Sequence, residues 1–498
     1  MSERTGSGAV TNAGVVPRVP KRVAAVILNS LKGGVVPRIG LPYITVGRET
    51  EIRALLTDLS LIADGGASFR FLVGRYGSGK SFLLQTIRTH AMGEGFVVAD
   101  ADLSPERRLQ GGQGQGLATY RELIRNLSTK TRPEGGALGL VLDRWVASTN
   151  QPMGTGVIGW RDSFGTDFDE SSVEGTGAKS TGSNPVGSSA EQVLRSQLAP
   201  LEELVHGFEF TRMLRIYRDA SIEGDDERKS CALKWFRGEY RTKTEAKAEL
   251  GTSTIIGDDD WYDYVKLFAA FLTGAGYKGL LVLIDELVNL FKIPNAITRQ
   301  YNYEKILTMY NDTLQGKARH LGIIMGGTPQ SIEDRRRGMF SYEALRSRLT
   351  QGRFATEGMR DMLAPIIHLH PLTYEELLVL IEKLQQIHAG YFGYAPRLTT
   401  EHLVQFLKIE FGRVGADTHL TPREVIRDFI ELLDIAYQNP NAPVEGLLGS
   451  VGGTAGGGGA AGDGGTSVSG ATDATTASAS ASSGTGERSP TEFAEFTI

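Results

Sequence analysis

The run Gly74-Arg75-Tyr76-Gly77-Ser78-Gly79-Lys80-Ser81 constrains this chain more than any other eight residues. It fits the phosphate-loop pattern G-x-x-x-x-G-K-S/T in full. Each residue type has a physical reason to be there. Glycines let the backbone wrap tightly, so that its N–H groups converge on phosphate oxygens. Lys80 brings a flexible cation to the β- and γ-phosphates, and Ser81 offers a hydroxyl to Mg²⁺. A helix starting at Lys80 adds the positive end of its dipole. The context agrees: residues 69–73 read as a buried strand, 80–92 as a helix and 96–99 as the next strand. Strand, loop, helix and strand in that order begin a parallel α/β sheet. Gly74, Tyr76, Gly77, Ser78, Gly79, Lys80 and Ser81 are therefore the expected nucleotide contacts, with Lys80 also acting on the reaction.

A second element lies more than two hundred residues downstream. Leu280-Leu281-Val282-Leu283-Ile284 is an apolar run that ends in Asp285-Glu286. Carboxylates at the C-terminal end of a central strand reach the same crevice as a phosphate loop. Asp285 is expected to hold Mg²⁺ and Glu286 to polarise the attacking water. The separation requires a large insertion between the second and third core strands. Further strands are expected at 321–325 and 365–369, and an extended stretch at 42–46.

The rest of the chain divides by composition. Residues 1–20 read as a flexible leader, and 21–370 as the sheet domain with a mostly helical insertion at 104–260. Within that insertion, 153–190 is rich in Gly, Ser, Thr and Asp and too poor in apolar area to offset the entropy of ordering. Residues 371–440 show helical periodicity and read as a C-terminal lid region. Residues 441–498 read as a disordered Gly/Ala/Ser/Thr tail. Lys and Arg total 53 against 58 acidic residues, a net charge of −5, so no global basic field advertises nucleic acid. Arg335-Arg336-Arg337 is the densest basic spot and reads as a solvated face. Cys231, the single cysteine, permits no intrachain disulfide. With no signal peptide and no apolar run near the ~20 residues of a membrane helix, a cytoplasmic protein is expected.

These stretches resemble AAA+ ATPases, and more closely the ATP-binding protein family of BREX bacteriophage-exclusion systems. The likeness rests on Tyr43-Ile44-Thr45-Val46-Gly47-Arg48-Glu49, on the phosphate loop, and on Ala275-Gly276-Tyr277-Lys278-Gly279-Leu280 running into the acidic pair. It continues through Tyr301-Asn302-Tyr303-Glu304, Gly326-Gly327-Thr328-Pro329, residues 337–349 and Thr421-Pro422-Arg423-Glu424. It covers about residues 20–440, without the Gly/Ser insertion and the tail. The resemblance implies that Val46 and Gly47 line the adenine pocket and that Thr328 is a polar sensor near the γ-phosphate. It further implies that Arg348, with Arg346 as the alternative, is an arginine finger entering a neighbour's site, and that Arg423 is a second sensor from the lid. A guanidinium at the γ-phosphate stabilises charge that grows in the transition state.

The function expected from all this is ATP hydrolysis that drives assembly or remodelling of a partner complex in anti-phage defence. The protein would be a homo-oligomer, with other defence-system proteins such as a helicase and a methyltransferase as partners. A nucleotide-dependent switch with little turnover is the alternative, and a motor acting on DNA the third reading.

Overall fold

Five apolar runs pair into one sheet, and their order fixes where a ligand can sit. β1 (Ala67–Val73), β2 (Val97–Asp102), β3 (Leu280–Asp285), β4 (Leu321–Gly327) and β5 (Ile366–His368) are all parallel, in the order β2-β3-β4-β1-β5. This computed structural model describes residues 19–149, 185–350, 352, 360–412 and 421–452. β1 pairs with β4 along its whole length, from Ala67 opposite Leu321 to Val73 opposite Gly327. β3 runs beside β2 until Asp285 stands opposite Asp102. The C-terminal ends of β1, β3 and β4 therefore open on one edge, where open parallel sheets take their ligands.

Before the sheet come α1 (Lys21–Lys32) and α2 (Leu41–Ile44). α3 (Glu49–Ala63) and α4 (Lys80–Gly93) then cover one face. Their Leu55, Leu59, Ile62, Leu83, Leu84 and Ile87 bury against Leu72, Val98, Leu281, Leu283 and Ile324. Alternate residues of the same strands (Phe71, Ala99, Val282, Ile284, Ile323 and Met325 among them) point the other way. Burial on both faces is why the strands are mostly apolar.

The second face is covered by the expected insertion between β2 and β3. It comprises α5 (Gln115–Arg125), α6 (Leu138–Thr149), α7 (Pro185–Glu202), α8 (Gly207–Glu223), α9 (Asp226–Phe236), α10 (Lys243–Leu250) and α11 (Trp261–Gly274). Its aromatic residues meet largely edge to face, as Phe210 does with Phe236, Phe268 and Phe271. These side chains belong to the same buried cluster as the sheet residues, so the insertion shares the sheet's core. α12 (Val288–Phe291), α13 (Ala296–Leu314), α14 (Pro329–Glu333) and α15 (Glu343–Leu349) follow the third and fourth strands.

A second core lies among α16 (Tyr374–Phe392), α17 (Thr400–Gly412), α18 (Pro422–Gln438) and α19 (Val444–Gly452). α1, grouped with the sheet domain on sequence, packs here through Ala24, Ile27, Leu28 and Leu31. Lys32 Nζ seals that contact on Asp434 Oδ2 at 2.5 Å, and buried His388 Nε2 lies 3.0 Å from Asp434 Oδ1.

Three other sequence expectations give way. Residues 41–44 are helical rather than extended: Pro42 presets the first turn, and Leu41 and Ile44, three apart, both bury. α7 reaches back to Pro185, into the stretch expected to be disordered, because extending a helix already anchored by Leu194, Leu198 and Leu201 costs little. α19 occupies part of the expected tail, since Val444 and Leu448 find a buried place in the second core. The expectations for residues 1–18, 153–184 and 453–498 lie outside the described residues.

Candidate functional site

The loop after β1 has the shape its glycines allow. Gly77 and Gly79 adopt φ of 76° and 95°, left-handed values that disfavour a side chain. A Cβ at Gly74 would collide with Ser78 Oγ, a buried hydroxyl with no hydrogen-bond partner. α4 starts at Lys80, whose Nζ donates to Gly74 O at 2.8 Å and Arg75 O at 2.9 Å and lies 5.5 Å from the centre of the Tyr76 ring. Burial pushes the Lys80 pKa down, while Asp285 and Glu286 oppose the shift.

The acidic strand end meets this loop directly. Ser81 Oγ donates to Asp285 Oδ2 at 2.9 Å, across 204 residues of chain. Asp285 Oδ1 accepts from Glu286 N at 2.8 Å. Glu286 has a left-handed φ of 63° and lines the same cleft as Lys80. Burial raises its carboxyl pKa, and the charges of Asp285 and Asp102 raise it further. The Asp102 pKa is likewise raised, by burial first and then by Asp285 and Asp100. Sequence reasoning missed Asp102; its only signal was the change from Val97-Val98-Ala99 to Asp100-Ala101-Asp102 at the end of β2.

The cleft over these residues measures about 1020 Å³ counting its open mouth. Its lining is of two kinds: apolar side chains, Leu31, Val36, Ile44, Val46, Leu380 and Ile426 among them, and the polar or charged Lys80, Ser81, Glu286 and Arg423. Arg423 enters from the first turn of α18, and its charge contributes to depressing the Lys80 pKa. The cap of that helix, Thr421, passes so close to Gly77 that a Cβ there would lie 2.7 Å from Thr421 Cβ. Val46 is among the residues that line the cleft and Gly47 is not. With φ of 66°, Gly47 instead makes room for Glu376, whose Oε1 would lie 2.6 Å from an added Cβ. Arg48, also missed on sequence, lines the cleft and donates from Nη2 to Ser78 O at 2.9 Å.

A cleft with apolar lining and a glycine-lined anion cradle suits a nucleotide. Over residues 19–451 the chain matches the family described as BREX system ATP-binding protein BrxC/D. The chain belongs to this family. Comparison with curated proteins gives no match.

Of the other expected residues of this BREX ATP-binding protein, Gly74, Asp285, Thr328 and Arg348 stand outside the cleft lining. Thr328 follows β4, between the loop strand and the acidic strand in the sheet order. It is buried and caps α14, its Oγ1 accepting from Ser331 N at 3.2 Å. Arg348 is exposed on α15 and donates to Ala344 O at 2.7 Å; Arg346 pairs with Glu343 one turn earlier. Arg335, Arg336 and Arg337 are exposed, with Arg337 5.4 Å from the centre of the Phe291 ring. Among the described residues no helix is long and apolar enough to cross a membrane.

Proposed function

We propose that this chain is an AAA+ ATPase, with α16–α19 as its helical lid, that hydrolyses Mg-ATP to drive assembly or remodelling of a partner complex in BREX-type phage defence. The hydrogen bond between Ser81 and Asp285 carries the reading. It brings a hydroxyl and a carboxylate, both hard oxygen donors suited to Mg²⁺, to the foot of an anion-binding loop. Mg²⁺ bound there would neutralise charge on the phosphate oxygens.

The chain's own groups then have distinct tasks. Val46 and the apolar wall take the base. The loop N–H groups and Lys80 hold the phosphates, Lys80 exchanging the carbonyls of Gly74 and Arg75 for phosphate oxygens. Glu286 accepts a proton from water, a role that its raised pKa suits. Arg423 reaches the phosphate end from the lid, and Thr328 senses it from the end of β4. Arg348, exposed and outside its own cleft, serves the site of a neighbouring copy, which makes the working form a homo-oligomer. The protein would act in the cytoplasm beside the helicase and methyltransferase of its system.

Turnover of wild type, Lys80→Ala and Glu286→Gln, with nucleotide binding measured in parallel, tests this. Lys80→Ala is expected to lose binding; Glu286→Gln is expected to keep binding and lose turnover. Binding with a slow rate that Glu286→Gln leaves unchanged would make the protein a nucleotide-dependent switch instead.

A further inference from the structure

Arg48 bears two features that cost free energy. It is a non-glycine residue at φ of 65°, directly after Gly47 at 66°. Its guanidinium side chain is only 8% exposed, and a buried charge must be matched by partners.

Its partners form a row. Nη2 donates to Ser78 O in the phosphate loop at 2.9 Å. Nη1 lies 3.7 Å from Glu51 Oε1. Glu51, 4% exposed, also accepts from Arg360 Nη2 at 2.8 Å. The same Arg360 nitrogen donates to His368 O at 2.8 Å, where β5 ends and the chain leaves for α16. The lid touches this segment from its other side as well: Lys383 Nζ of α16 donates to Thr45 O at 2.9 Å, and Glu376 fills the space beside Gly47. Residues 45–48 are thus held by the lid and in turn hold the loop.

A peptide unit is planar and trans, so its C=O and N–H point in opposite directions. By gripping Ser78 O, Arg48 sets the direction of the Gly79 N–H, one of the donors that make up an anion nest. We propose that Arg48, clamped by Glu51 and Arg360, is a positioning residue that keeps the phosphate loop in its anion-binding shape and ties that shape to the seating of the lid. This deepens the ATP-site reading above and rests on it. A loop that reaches the competent arrangement only part of the time binds with its affinity reduced by that fraction.

The test uses the full chain, with ADP and AMP as probes in calorimetry and with hydrogen exchange over residues 74–81 in nucleotide-free protein. AMP lacks the β-phosphate that the loop grips, so it reports the base pocket alone. Arg48→Ala is expected to weaken ADP roughly tenfold, leave AMP within about twofold, and speed exchange of the loop amides. Arg360→Ala, which changes neither the loop nor Arg48, is expected to move all three readouts the same way by less; it carries the test if Arg48→Ala fails to fold. Arg48→Lys, which replaces a two-armed fork by one ammonium, is expected not to restore ADP affinity. Equal losses for ADP and AMP, or unchanged loop exchange, would overturn the inference. Wild type that fails to bind ADP would instead sink the ATP-site reading itself. If wild type binds ADP, Lys80→Ala loses it and the Arg48 variants keep it, the inference alone falls.

Discussion

Gly326→Ala tests the proposal that Ser81 and Asp285 hold Mg²⁺ without altering either acid of the β3 end. Gly326 lies in β4 opposite Leu72 of β1, on the strand that separates the phosphate loop from β3. A Cβ there would collide with Asp285 Oδ1 and stand 3.0 Å from Asp285 Cγ and 3.4 Å from Leu84 Cδ1. Asp285 cannot simply swing aside, because Oδ1 accepts from Glu286 N at 2.8 Å and Oδ2 from Ser81 at 2.9 Å. The carboxylate must move by roughly 1 Å, a misplacement that costs up to about 10²-fold in rate. Overpacking of this kind costs ~1–3 kcal/mol, within a typical stability of ~5–15 kcal/mol, so the variant is expected to fold with a lower melting midpoint. The assay is Mg²⁺-dependent ATP turnover, with ADP binding in the presence of a chelator as the control. Turnover is expected to fall about 100-fold, while metal-free ADP binding changes little. Mg²⁺-dependent turnover close to wild type would refute the placement of metal on Asp285.

Other expected outcomes rest on separate features. A carboxyl acting as a base works only when ionised, and Glu286 has a raised pKa, so turnover should fall as pH drops through a value above the usual carboxylate range; Asp102→Asn removes one of the raising charges and should move that acid limb to lower pH in a pH–rate profile, and a limb that stays put counts against Asp102 acting on Glu286. Asp434 receives both Lys32 and His388, so Asp434→Asn should cost about 1–3 kcal/mol in urea unfolding. Because the Asp434 pKa is lowered in the fold, its contribution is present at neutral pH and lost as pH falls through that lowered value, so the variant should also show a flatter loss of stability in acid. Arg348→Ala subunits should lack turnover alone and regain part of it when mixed with Glu286→Gln subunits, since a mixed interface in one of its two orientations joins an intact acid to an intact arginine; no recovery would speak against action across the interface.

The phosphate loop and the Asp285-Glu286 strand end could be read from sequence because each is contiguous and its residue types follow from local chemistry. Residues that matter through register were invisible. Asp102 becomes part of the acidic group only because β2 pairs with β3 so that Asp102 stands opposite Asp285. Gly326 looks like any strand glycine until β4 is inserted between β1 and β3. The apolar wall joins Leu31, from the first helix, to Ile426, from one of the last, and no window of sequence contains both. α19 was hidden by composition: Val444 and Leu448 sit beside a long Gly/Ala/Ser/Thr stretch, and only the groove between C-terminal helices gives them a buried place. Gly47 also depends on the fold: with φ of 66° it leaves room for Glu376 of α16, a neighbour that no local stretch of sequence contains.

The electrostatics of the cleft carry one further consequence. Asp102, Asp285 and Glu286 crowd together, and the pKa values of Asp102 and Glu286 are raised, by burial first and then by the neighbouring carboxylates. Lys80, Arg48 and Arg423 line the same cleft, and the Lys80 and Arg48 pKa values are depressed, chiefly by burial. The two groups therefore favour opposite charges: a divalent cation relieves the acids, and phosphate oxygens relieve the bases. Phosphates alone would bring more negative charge toward the acids, and a cation alone more positive charge toward the bases, so each should bind better in the presence of the other. Such coupling is reciprocal. Titrating nucleotide at several Mg²⁺ concentrations, and Mg²⁺ at several nucleotide concentrations, should give the same factor from both directions. That factor should shrink in Asp285→Asn, and independence of the two ligands would mean that the acids and the loop do not share one site.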